Sequence, residues 1–102
     1  MTTQEELILW LQRWYHTNCD GDWEHNQNII ITTIDNPGWS VTINLEETSL
    51  ENKPFDHIFV EKDDLDWFCC RIEQNRFLGD CGVFNLLDVI AVFKNFVEEE
   101  ER

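Results

Sequence analysis

Basic residues are scarce in this chain. Seven Lys and Arg stand against 21 Asp and Glu among 102 residues, for a formal net charge of −14. A field of that sign repels phosphate backbones and argues against a nucleic-acid partner. It speeds encounter with a basic protein. The terminal run EEEER, residues 98–102, holds four glutamates less one arginine, so it supplies only three of the fourteen charges. The acidity therefore belongs to the body of the chain. Long apolar runs are also missing: nothing approaches the roughly 18 residues of a membrane span. The opening MTTQEELILW has no basic n-region and spaces its apolar residues, so neither a signal peptide nor a membrane partner is expected. The expected location is cytoplasmic, with the four cysteines (19, 69, 70 and 81) as reduced thiols.

What is present builds a core. Hydrophobic residues at 42% and aromatics at 13% place the chain among globular proteins rather than disordered ones. Its length allows one domain, residues 1–102, with 98–102 expected to fray as an acidic tail. TTQEELILWLQRWYHTN reads as a helix. Thr2 or Thr3 can cap it, with Glu5 or Glu6 completing a capping box, and Leu7, Trp10, Leu11, Trp14 and Tyr15 form one stripe. Asn18 and Gly21 are stop signals. NIIITTI, residues 28–34, is β-branched and reads as a strand. DNPG follows with the chemistry of a type II turn. In WSVTINLE, Trp39, Val41, Ile43 and Leu45 alternate with polar residues, which makes the second strand of an antiparallel hairpin with one wet face.

The second half is less regular. Leu50 and Phe55 are placed to tuck under the sheet, and HIFVE is a short strand candidate. LDWFCCRIE puts Phe68, Cys70 and Ile72 on one face and Trp67, Cys69 and Arg71 on the other. QNR turns into a short FLG strand, and GDCG reads as a loop whose two glycines can take positive φ. NLLDVIAVFKNFVEEE reads as a second helix, capped by Asn85 with Asp88 at its third position. The expected fold class is α+β: an antiparallel sheet of about four strands packed by an N-terminal and a C-terminal helix.

Chemistry concentrates in NCDGDWEH, Asn18–His25. Asp20, Asp22 and Glu24 alternate like the first ligands of an EF-hand loop. Positions six and twelve would then be His25 and Ile31, which cannot serve. His16, Cys19, His25, Cys69, Cys70 and Cys81 are zinc-type ligands, but they form no Cys-x-x-Cys pair and are scattered. No metal or other cofactor is expected. An acidic neighbourhood also opposes the thiolate a Cys19 enzyme would need. A binding surface is left, made by acids and aromatics. Its candidates are Asp20, Asp22, Trp23, Glu24, His25, Asp35, Asn36, Trp39, Asp66 and Trp67. For Trp23 and Trp39 the balance tips towards core packing.

LQRWYHTNCDGDWEH leading through IIITTIDNPGWSVTINLEETSL, with DWFCCRIEQNRFLGDCG and NLLDVIAVFKNF after it, resembles the immunity protein 53 family of bacterial polymorphic toxin systems. The resemblance runs from about Leu11 to Phe96, and WYHTNCDGDWEH followed by TIDNPGWSV is its most specific part. The matching positions are Trp14, Tyr15, Asn18, Asp20–His25, Asp35–Trp39, Asp66 and Trp67, of which Gly21, Pro37 and Gly38 serve turns and Trp14 packing. Cys81 departs from the plainer turn residue expected there. The resemblance implies a non-catalytic cytosolic protein that binds and blocks a toxin domain, one that is basic if it is a nuclease. Two other readings stay open: a small metal- or thiol-dependent enzyme on Asn18–His25, and an acidic adaptor for another protein. Oligomeric state is open too.

Overall fold

The computed structural model describes residues 3–101. Helix α1 spans Gln4–Asn18 and the single turn α2 spans Trp23–Asn26. Five strands follow: β1 Ile29–Ile34, β2 Gly38–Asn44, β3 Ile58–Asp63, β4 Asp66–Glu73 and β5 Arg76–Cys81; helix α3, Leu86–Glu100, closes the chain. The sheet is antiparallel with order β1-β2-β5-β4-β3. It has five strands rather than about four, because HIFVE and the FLG segment both become full strands of six residues.

Thr3 caps α1: its hydroxyl accepts from the Glu6 N–H at 3.1 Å, and Glu6 reaches back to the Thr3 N–H. The alternative cap, Thr2, lies outside the described residues. Leu7, Leu11 and Trp14 are buried, Trp10 is half-buried, and Tyr15 is 38% exposed with its ring 5.7 Å from that of Trp23. Helix α3 lies across β4 and β5, and α1 packs against α3. Phe93 is the hub. Its ring meets Trp14 at 4.9 Å, Phe77 at 5.0 Å and Trp10 at 5.8 Å. Leu50 is fully buried and Phe55 packs on Phe77 and Phe96, so both tuck under the sheet as expected.

The core face of the sheet carries Val41, Ile43, Phe77, Cys70 and Cys81, all 0% exposed. The other face carries no helix among the described residues and holds Thr42, Leu78, Arg71 and Phe59. On it Arg71 pairs with Glu73 at 3.3 Å and with Asp80 at 3.6 Å. Cys69 and Cys70 point to opposite faces, and all four cysteines are free.

Two local expectations are corrected. The turn after β1 is not type II. The Asn36–Pro37 peptide is cis, and Gly38 has no positive φ but opens β2 opposite Ile34. A Cβ at Gly38 would collide with the Cys81 carbonyl oxygen, so close approach, not φ, demands glycine there. GDCG is not a loop up to Cys81: Gly79 and the buried Cys81 belong to β5, and neither Gly79 nor Gly82 has positive φ. Gly79 lies directly under Val89 of α3, where a side chain would not fit. The acidic tail is helical through Glu100. Lys94 bonds Glu98 at 2.9 Å and Ser49 donates to Glu101 at 2.7 Å, which offsets the unfavourable dipole.

Candidate functional site

The ten candidate residues divide between opposite ends of the sheet. Asp35, Asn36, Trp39, Asp66 and Trp67 lie at the end where β1 and β3 finish. Asp20, Asp22, Trp23, Glu24 and His25 lie at the end where β1 begins, one strand length away, about 20 Å.

The α1–α2 corner is a self-contained turn. Gly21 takes φ of 98°. Asp20 Oδ1 accepts from the N–H groups of Asp22 and Trp23, both at 2.9 Å. Glu24 accepts from the N–H groups of Asp20 and Gly21. Trp23 does not display its ring: it is 1% exposed, its N–H donates to the Glu46 carbonyl at 3.0 Å, and it meets Trp14 edge to face. Only Asp20, Asp22 and His25 remain exposed here, with Glu24 half-exposed. The Trp23 and Asp22 N–H groups hold the Asp20 carboxyl below its ordinary pKa, and Glu24 is lowered first by its own N–H. Both groups bind protons less readily folded than unfolded. Their stabilisation is therefore complete above the ordinary carboxylate range and is lost as pH falls through the lowered values. A carbon-detected NMR titration is expected to give midpoints for Asp20 and Glu24 below the ordinary values of their own residue types; ordinary midpoints would mean the corner is open in solution.

At the other end, Asn85 organises the site. It is the one buried polar residue among the described residues, 4% exposed. It occupies the N-cap position of α3, as expected, but its side chain does not cap the helix. Its amide N–H₂ donates to Asp66 at 2.9 Å and to Asp88 at 2.8 Å, and its Oδ1 accepts from the Trp67 N–H at 3.3 Å. One amide thus ties the start of β4 to the first turn of α3. Asn85→Asp turns that donor into a third carboxylate facing two others. It is expected to cost about 2 kcal/mol at neutral pH, read from urea unfolding.

Around this tie opens an acidic mouth lined by Lys62, Asp63, Asp64, Leu65, Asp66, Phe84 and Asp88: four aspartates against one lysine. Phe84 is 85% exposed and Leu65 61% exposed. A phenylalanine just before an N-cap ordinarily staples onto the fourth helical residue. Here that residue, Val89, is already fully buried against the sheet, and Phe84 stands in solvent. Trp39 is half-buried and spends its N–H on the Val83 carbonyl at 2.9 Å, which ties the start of β2 to the residue before Phe84. Sequence reasoning reached Asp66 and Trp67 but missed Asp63, Asp64, Leu65, Phe84 and Asp88. The signal available was the run KDDLD between two strands.

Among the described residues no three His, Cys, Asp or Glu side chains are grouped to hold a metal ion. Burial pushes the Cys70 thiol up to about 12 and the Cys81 thiol up to about 11, so both stay protonated at neutral pH.

The mouth thus sets two exposed apolar side chains, Leu65 and Phe84, among four carboxylates on a small acidic α+β domain. The chain belongs to the immunity protein 53 family, whose model matches residues 8–98. That membership gives it an immunity function. Comparison with curated proteins and with solved structures returned no match.

Proposed function

We propose that this immunity protein neutralises a cognate toxin domain by binding it one to one through the acidic mouth, without chemistry of its own. The observation that carries the reading is the pair of exposed anchors, Phe84 and Leu65, inside four aspartates. Apolar side chains that stable folding leaves in water gain most by burial in a partner. The surrounding carboxylates select a basic one. A nuclease domain fits, because the carboxylates would occupy the place of phosphate. The bacterial cytosol suits four free thiols, and no helix among the described residues is long and apolar enough to cross a membrane.

The test is capture of the partner from producing cells, followed by assay of its toxic activity against added protein. Stoichiometric loss of activity is expected. A toxin bound but left active would overturn the reading. Steering by charge is checked separately: the association rate should fall about tenfold or more between low and physiological salt. An unmoved on-rate would remove steering and leave only the apolar anchors.

A further inference from the structure

The two edges of the sheet are not alike. Edge β3 is guarded by Glu61, Lys62 and Asp63 and by a register shift between Glu61 and Asp63. Edge β1 has no guard. From Asn26 to Ile34 the chain carries no charge, in a protein where 27% of residues are charged. Ile30 and Ile31 are 47% and 41% exposed, one on each face. The Asn44 N–H donates to the Asn28 carbonyl, so Asn28 bonds towards β2. By antiparallel alternation Ile30, Thr32 and Ile34 do the same. The N–H and C=O groups of Ile29, Ile31 and Thr33 then face outward.

The geometry points to a second copy of this chain as the occupant of that edge, with β1 pairing antiparallel to β1 about a two-fold axis at Ile31. Ile31 meets its own equivalent, Ile29 meets Thr33, and two five-stranded sheets become one. The outward groups of all three residues are satisfied in that register. A two-fold interface must be complementary to itself. Two chains at −14 repel each other least where the surface is neutral, and β1 offers that stretch. A basic partner is drawn to the acidic mouth instead. On the helix side Tyr15 and Ile29 border a shallow groove between α1 and β1, which apposed copies would cover. The nearest acid in it, Glu24, is already held by the Asp20 and Gly21 N–H groups.

This inference is independent of the toxin reading, and its salt dependence has the opposite sign. Repulsion between like-charged copies is screened by salt, so salt strengthens this contact. Sedimentation equilibrium up to about 1 mM protein, at low salt and at about 0.5 M salt, is expected to show a monomer–dimer equilibrium shifting to dimer with both. Amide exchange at Ile29, Ile31 and Thr33 should slow as the dimer forms. Ile31→Lys sets two cations face to face and should weaken dimerisation by about tenfold or more. Ile31→Pro removes the central outward N–H and should act alike. If Ile31→Pro does not fold, Ile31→Lys and the exchange pattern decide. A protein monomeric throughout, or a dimer unchanged in folded Ile31→Lys, overturns the proposal.

Discussion

Replacing Trp23 by alanine is expected to lower the unfolding free energy by about 3–5 kcal/mol. The side chain is 1% exposed and joins the α1–α2 corner to the core, with Trp14 at 6.0 Å and Tyr15 at 5.7 Å. Its removal leaves a cavity that neighbours on two helices and a loop cannot jointly fill. It also strips the Glu46 carbonyl of its indole donor. Domains of this size have only about 5–15 kcal/mol in total, so about a fifth or more is at stake. Urea unfolding followed by circular dichroism measures the effect, with an unchanged slope as the check on two-state behaviour. Trp23→Phe keeps most of the apolar volume and loses the hydrogen bond, so about 1–2 kcal/mol is expected for it. A loss below about 1 kcal/mol for the alanine variant would place Trp23 outside the cooperative core.

Phe84→Ala is expected to do the reverse. At 85% exposure the ring contributes little to the fold, so stability should stay within about 0.5 kcal/mol. Toxin affinity should fall by about 10- to 100-fold, which is about 1.4–2.8 kcal/mol. Most of that change should appear in the dissociation rate, because the anchor acts after encounter. Charge removal at the opposite end, Asp22→Asn with Glu24→Gln, should change the association rate modestly and leave dissociation alone. The pair of experiments separates the two ends. Unchanged affinity in Phe84→Ala with a large loss in the Asp22/Glu24 variant would move the docking surface to the α1–α2 corner.

The elements that could be read in advance share a local cause. The Thr3 cap and the Leu7–Trp14 stripe define α1 without reference to anything distant. Strict alternation from Trp39 to Leu45 fixes which face of β2 is buried. The turn after β4 also follows from nearby residues, with Gln74 and Asn75 both in the left-handed region between Glu73 and Arg76. What escaped depends on distant neighbours. Gly38 and Gly79 look like turn residues, yet each is set by what lies over it: the Cys81 carbonyl in one case and Val89 in the other. Asn85 looks like a helix cap until Asp66, nineteen positions earlier, claims its amide. The exposure of Phe84 follows from Val89 being committed to the sheet, which no local pattern around Phe84 records. The candidate site was therefore half legible. Asp66 and Trp67 were singled out, while the anchors they frame were not.

The five tryptophans sort by position. Trp14 and Trp23 are buried and Trp10 is half-buried on the helix side, whereas Trp39, also packed on the core, and Trp67 are half-buried at the end of the sheet that carries the mouth. The molecule thus carries two sets of intrinsic fluorophores with different duties. Emission from the first set reports whether the chain is folded. Emission from Trp67, whose backbone N–H is held by the Asn85 side chain of the mouth, is expected to respond to whatever enters there. A toxin titration followed at the red edge of the emission spectrum would read occupancy without any label, and Trp67→Phe would silence the nearer reporter while leaving the core signal in place.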